Sequence, residues 1–181
     1  SMLSVGDDLW IGTYQGGSSD VSLWNSTQDQ WTVYSANSLG SFAYPADLNL
    51  CDGIVHVAFG QVAWWSPGFV ARYDYEDHDG NSVTDEWIDS WDNSDLSDSD
   101  PRAVACDEAH PMAYVAFDTD NVGIDRYSYS SSSFESTILP SDGIAIEPIF
   151  PGGLLHDDDL LIASHVDQGG ISRVETSGSV F

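Results

Sequence analysis

Lysine is absent from this chain of 181 residues, and four arginines are its only basic side chains apart from five histidines. Against them stand 30 acidic residues, 24 of them Asp, for a formal net charge of −26. That balance excludes nucleic-acid binding, which needs Lys and Arg to displace counterions from phosphates. It also argues against attachment to an anionic membrane surface. No apolar run approaches the roughly 20 residues that span a bilayer, so membrane insertion is not expected. Cysteine is scarce too: Cys51 and Cys106 share no CxxC or Cys/His spacing, so no zinc site is implied. Each closes a short apolar segment and is followed by Asp. Burial as small hydrophobes is the simpler reading, and a disulfide between neighbouring units is the alternative.

What is present suffices for one packed domain. Hydrophobic residues make up 41% of the chain and 22 residues are aromatic, which is enough to build a core despite the charge. An Asp-rich surface without Lys repels itself in dilute buffer, and molar salt shortens the Debye length to about 3 Å and screens that repulsion. The pattern resembles proteins of halophilic or marine microbes, archaeal ones in particular. The leading Ser1-Met2 looks like an expression scar, which leaves room for a removed export signal. The expected location is extracellular or at the cell surface, with a halophile's cytoplasm as the alternative.

Internal repetition decides the fold class. Four segments superpose: Leu9-Trp10-Ile11-Gly12-Thr13, Val55-His56-Val57-Ala58-Phe59, Ala113-Tyr114-Val115-Ala116-Phe117 and Leu160-Leu161-Ile162-Ala163-Ser164. The third position is Ile or Val and the fourth is Gly or Ala. Starts at 9, 55, 113 and 160 lie 46, 58 and 47 residues apart. Each run is five β-formers long, too short for a helix. After a loop comes a second shared segment: Val21-Ser22-Leu23-Trp24, Val70-Ala71-Arg72-Tyr73, Ile124-Asp125-Arg126-Tyr127 and Ile171-Ser172-Arg173-Val174. Three of the four arginines thus occupy one repeat position, where pairing with blade carboxylates is expected. A polar turn and an aromatic then open a further strand, at Trp31, Trp87, Phe134 and Phe181. A short strand precedes each unit, at 3–5, 48–51, 103–106 and near 147–150.

Four short antiparallel strands repeated every 40–50 residues are the mark of a β-propeller blade. The expected fold is all-β, a single propeller domain over 1–181 with blades near 2–36, 42–91, 102–139 and 144–181. Gly or Ala at the fourth position lets neighbouring sheets approach closely. The stretch 9–17 with Leu23-Trp24-Asn25 and Gln30-Trp31 resembles the repeats of two-component-regulator, YVTN and quinoprotein-like propellers. That motif is structural and implies no catalytic residue. Four blades imply a partial propeller, or one completed by a second chain, because an unclosed stack leaves apolar faces and strand edges open.

Candidate sites are few. The segment from Asp77 to Trp87 resembles an acidic calcium loop, with Asp77, Asp79, Asn81, the Val83 carbonyl and Asp85 as oxygen donors. Position 6 is Ser82 and position 12 is Ile88, however, and a long hairpin turning at Asp79-Gly80 explains the same residues. Turns at Asp7-Asp8, Asp52, Asp107-Glu108 and Asp157 to Asp159 gather on one face near the channel as an anionic ring or simply as solvated turns. On the opposite face, Trp64 and Trp65, with Phe42 and Tyr44, are expected to form a stacking platform for a carbohydrate or a protein ligand, unless the loop folds down as a cap. His56 sits at a packing position. No GxSxG, P-loop or Cys-His pattern occurs. The expected function is a non-catalytic binding or assembly scaffold that self-associates or belongs to a longer chain. The alternative is a fragment of a propeller enzyme, a glycan-acting hydrolase or lyase or a quinoprotein-like oxidoreductase.

Overall fold

A computed structural model describes residues 1–15, 18–63, 65–76, 82–107, 111–117 and 124–135, and the strands 154–157, 160–164 and 171–175. The first sheet comprises β1 (Met2–Val5), β2 (Asp8–Gln15), β3 (Ser18–Asn25) and β4 (Gln30–Ser35) in consecutive antiparallel order. One helical turn, α1 (Ala36–Leu39), leads to the second sheet of β5 (Ala43–Cys51), β6 (Ile54–Gln61), β7 (Phe69–Asp74) and β8 (Glu86–Trp91). The third holds β9 (Pro101–Asp107), β10 (Met112–Phe117), β11 (Ile124–Ser128) and β12 (Ser133–Phe134). The fourth, as described, consists of β13 (Leu154–Asp157), β14 (Leu160–Ser164) and β15 (Ile171–Glu175).

Local chemistry explains the hairpins. Asp52 and Gly53 both adopt positive φ, at 48° and 75°, the left-handed pair that joins β5 to β6 in two residues. Asn25 Oδ1 accepts the Gln28 N–H at 2.9 Å and tightens the turn into β4.

The sheets pack face to face, each first strand lying on the next: β1 on β5, β5 on β9, β9 on β13. Residues two and four of the repeated segment face the following sheet, and residues one, three and five face the preceding one. Trp10 therefore joins Val55, Val57, Phe59 and Tyr73 in one core, and Ala58 joins Val104, Val115 and Phe117 in the next. The small fourth residue behaves as expected. A Cβ on Gly12 would stand 2.9 Å from Pro45 Cβ and 3.2 Å from Leu48 Cδ1, both in the neighbouring first strand.

Three side chains of β5, at alternate positions, stitch the second sheet to the third. Asp47 Oδ2 accepts the Val104 N–H at 3.1 Å, and Asn49 Nδ2 donates to the Val104 carbonyl at 3.0 Å. Cys51 is disulfide-bonded to Cys106, with Cα atoms 5.3 Å apart. The reading of the two cysteines as buried free thiols is thereby corrected. They are a bond between blades.

The fourth sheet departs from the expected alignment. Arg72 stands opposite His56 and Arg126 opposite Tyr114, but Arg173 stands opposite Ile162 rather than Leu161. Pairing places Ser164, not Ala163, opposite Ile171 in the small-residue position. A slip of one residue exchanges the faces of a strand, so the superposition of sequences and the pairing of strands cannot both hold there. The strand expected near 147–150 and the one opening at Phe181 lie outside the described residues; the first described strand of this sheet is β13.

Candidate functional site

The loop between β6 and β7 brings two of the four expected aromatics, Trp65 and Phe42, together. An isolated bridge joins Ala63 to Ser66, and the Ser66 hydroxyl donates to the Phe42 carbonyl, tying the loop to the chain that enters β5. Gly68 closes the loop: its N–H donates to the Ser99 carbonyl at 2.6 Å, and a Cβ there would meet the Phe59 carbonyl oxygen at 2.2 Å. Thus anchored, Trp65 lies parallel to Phe42, with centroids 6.4 Å apart and planes 10° apart, and remains 62% exposed. Tyr44 goes elsewhere. Its ring meets Tyr14 at 5.7 Å and carries the Arg102 guanidinium 4.7 Å from its centroid. Arg102 in turn pairs with Asp100 at 2.9 Å, and Asp100 accepts the Gln61 N–H at 2.6 Å. Trp64 lies outside the described residues.

On the other side of the molecule a cavity of about 550 Å³ opens between the second and third sheets, lined among others by Asp52, Arg72, Glu86, Trp87, Tyr127 and Tyr129. Sequence reasoning missed it, because its walls come from residues up to 80 positions apart (Asp52 to Ser132). The repeated arginine was the only signal. Arg72 does not pair with a carboxylate among the described residues, contrary to expectation. Its guanidinium lies 4.8 Å from the Trp91 centroid and 5.8 Å from that of Tyr127, and Nε donates to the Asp89 carbonyl at 2.7 Å. Arg126 does pair, with Glu135 at 3.3 Å.

Beneath Arg72 the imidazole of His56 is fully buried and packs on Trp91 at 5.0 Å. Nδ1 faces the Ile54 carbonyl at 3.0 Å and so carries the proton, which leaves Nε2 to accept the Tyr129 hydroxyl at 2.6 Å. Burial, aided by the Arg72 charge, pushes the His56 pKa down to about 3. Burial likewise raises the Tyr129 hydroxyl above its ordinary value. This histidine is a neutral packing element.

The calcium reading falls mostly beyond view: Asp77, Asp79 and Asn81 lie outside the described residues. Val83 is exposed, and the Asp85 carbonyl accepts the Tyr73 hydroxyl at 2.8 Å. Among the described residues no group of three or more His, Cys, Asp or Glu converges to hold a metal ion.

Three solved structures show where this architecture recurs. A protein of unknown function from Bacteroides thetaiotaomicron superposes with a TM-score of 0.65 at 14% identity, over 99% of this chain and 42% of its own. Sqt1 of Saccharomyces cerevisiae gives 0.63 at 14% identity, over 96% and 44%. A chain of the nidogen/laminin complex gives 0.50 at 12% identity, over 95% and 58%. The fold is a partial β-propeller. This chain spans less than half the length of the first two propellers it matches. No protein-family model and no curated protein matches its sequence.

Within the propeller, several carboxylates accept backbone amides. Asp8 accepts Ser26 N–H at 2.8 Å, Asp74 accepts Glu76 N–H at 2.8 Å, Asp92 accepts Ser94 N–H at 2.7 Å and Asp125 accepts Ser97 N–H at 2.7 Å. Asp47 accepts both the Leu48 and the Val104 N–H; burial nevertheless holds its pKa above the usual range. With four arginines and no lysine for 30 acids, amide donors supplement the few cations available. The first-to-second-strand turns do meet as expected at one point: Asp52 and Asp107 line a common recess with Gly53 and Pro111. No helix of the described residues is long and apolar enough to cross a membrane.

Proposed function

We propose that this chain is a non-catalytic binding module of a propeller that works outside the cytoplasm in a saline medium, with Trp65 stacked on Phe42 as the contact for a neutral carbohydrate ring. The observation that carries this reading is the parallel ring pair, held by the Ser66–Phe42 bond and open to solvent on one face. An indole face stacks on the C–H face of a sugar at little desolvation cost. The charge of −26 repels anionic ligands and leaves neutral ones unopposed.

The absence of catalysis is inferred from the use of the acids. A glycan-acting enzyme needs two carboxyl groups facing one bond, one of them with a raised pKa. Asp47 is a described acid whose pKa burial raises, and both its oxygens serve backbone amides. The Cys51–Cys106 bond supports an oxidising compartment, and the Asp-rich, Lys-free composition supports a salt-adapted source.

Titration calorimetry against a panel of neutral oligosaccharides in molar KCl tests the reading. At least one should bind, and Trp65→Ala should weaken it about tenfold or more, a loss of about 1.4 kcal/mol. Equal affinity in wild type and Trp65→Ala, or silence across the panel, removes the carbohydrate reading.

A further inference from the structure

The second blade departs from the first at one pair of repeat positions. Trp10 and Leu23 stand opposite one another in the first sheet, and His56 and Arg72 take their places in the second. An imidazole is a smaller ring than an indole, and a guanidinium replaces an apolar branch. The cavity of about 550 Å³ lies at this exchange, with Arg72 in its wall.

Arg72 is held but not neutralised. Nε donates to the Asp89 carbonyl at 2.7 Å, and the ring centroids of Trp91 and Tyr127 lie 4.8 and 5.8 Å from the guanidinium carbon. Its terminal nitrogens form no ion pair among the described residues, whereas Arg102 and Arg126 pair with Asp100 and Glu135. In a chain with 30 acids, a clamped cation whose two Nη groups stay unspent is the exception. A fork fixed in this way offers a carboxylate two parallel N–H donors, with little left to order on binding.

The same cavity carries the opposite charge. Asp52 and Glu86 line it together with Arg72. Behind the burial that raises the Tyr129 hydroxyl, the Arg72 cation lowers its pKa and the Asp52 anion raises it, so both charges act at one point of the wall. Asp52 and Arg72 nevertheless form no ion pair with each other. That separation selects the class of ligand. A simple anion meets Asp52, Glu86 and the field of a net charge of −26, and a simple cation meets Arg72. A molecule with both signs and no net charge satisfies both ends.

We propose that the cavity binds a small zwitterion, an α-amino acid or a short peptide, with its carboxylate on the Arg72 fork and its ammonium group at Asp52. The volume falls within the range of about 300–1,000 Å³ usual for small-molecule sites. This site is separate from the Trp65–Phe42 pair and does not depend on the carbohydrate reading.

Titration calorimetry of the full chain against the free α-amino acids and the dipeptide Ala-Ala, in dilute and in molar KCl, tests this. At least one should bind. The N-acetyl form of that probe, which lacks the ammonium group, and its amide, which lacks the carboxylate, should each bind about tenfold more weakly or not at all. Arg72→Gln and Asp52→Asn should each weaken binding about tenfold or more. Asn tolerates the left-handed backbone at position 52, where φ is 48°, so the second variant keeps its turn. Thermal melts establish that each variant is folded, and the acetylated and amidated probes test the wild type without any substitution. Silence of every probe overturns the proposal. So does an N-acetyl form that binds as tightly as its parent, which marks a plain anion site, or an unchanged affinity in either folded variant.

Discussion

His56 accepts the Tyr129 hydroxyl at 2.6 Å between the second and third blades, in the place where Trp10 donates to the Tyr75 hydroxyl at 2.7 Å between the first and second. The two tyrosines are repeat equivalents, two residues beyond Tyr127 and Tyr73. One interface rule is thus met by two chemistries of opposite polarity: an indole N–H that gives and an imidazole nitrogen that takes. Around each pair the same aromatic box recurs, with Tyr34, Tyr73 and Trp87 in one and Trp91, Tyr127 and Phe134 in the other.

The substitution makes the second interface acid-sensitive. Folded His56 has its pKa lowered from 6.5 to about 3, so between these values the unfolded chain binds a proton that the folded chain refuses. Its contribution is complete above pH 6.5 and declines as pH falls toward 3, by at most about 1.4 kcal/mol per unit. His56→Phe should cost roughly 1–3 kcal/mol at neutral pH, because the Tyr129 hydroxyl loses its acceptor. The same variant should flatten the decline in stability below pH 6.5. Urea melts across pH measure both, and identical pH slopes for the two proteins refute the assignment.

The Cys51–Cys106 bond closes a sequence separation of 55 residues. On the chain-entropy account a loop of that size is worth about 4 kcal/mol, less any native strain. Reduction, or the double variant Cys51→Ala with Cys106→Ala, should lower the urea midpoint without abolishing the fold, since Asp47 and Asn49 still tie β5 to β9. An unchanged midpoint under reductant would mean the bond contributes nothing in solution.

Stability should climb steeply between dilute buffer and molar KCl. A net charge of −26 on 181 residues leaves many aspartates facing one another with few cations between them. Calorimetry at the two ionic strengths, at fixed pH, reads the difference as a rise in melting temperature. A melting temperature independent of KCl contradicts the salt-adapted reading.

How much of this was legible beforehand depends on the range of each interaction. The repeat was, because strands are short and their apolar alternation is written locally: Ile11, Val57 and Val115 recur with a small residue beside them whatever their partners are. Trp65 over Phe42 was also within reach, since a pair of tryptophans in a loop cannot both be buried by strand alternation. The cysteine pair was legible only as the alternative to two buried thiols, because a 55-residue separation does not say that the Cα atoms end 5.3 Å apart. Nor was Arg72: its residue type suggested a carboxylate, but Trp91 of its own blade and Tyr127 of the next offered ring faces instead. In the fourth unit, similarity along the chain and hydrogen-bond register disagree by one residue, and register follows packing.

By itself, then, the sequence determined the module, its period and its charge, since each follows from residues within one blade. The partners of each module's two faces were decided only in the tertiary structure. Which residue bonds Tyr129 and which rings hold Arg72 both depend on the angle at which one sheet meets the next, a relation between residues that no single blade contains.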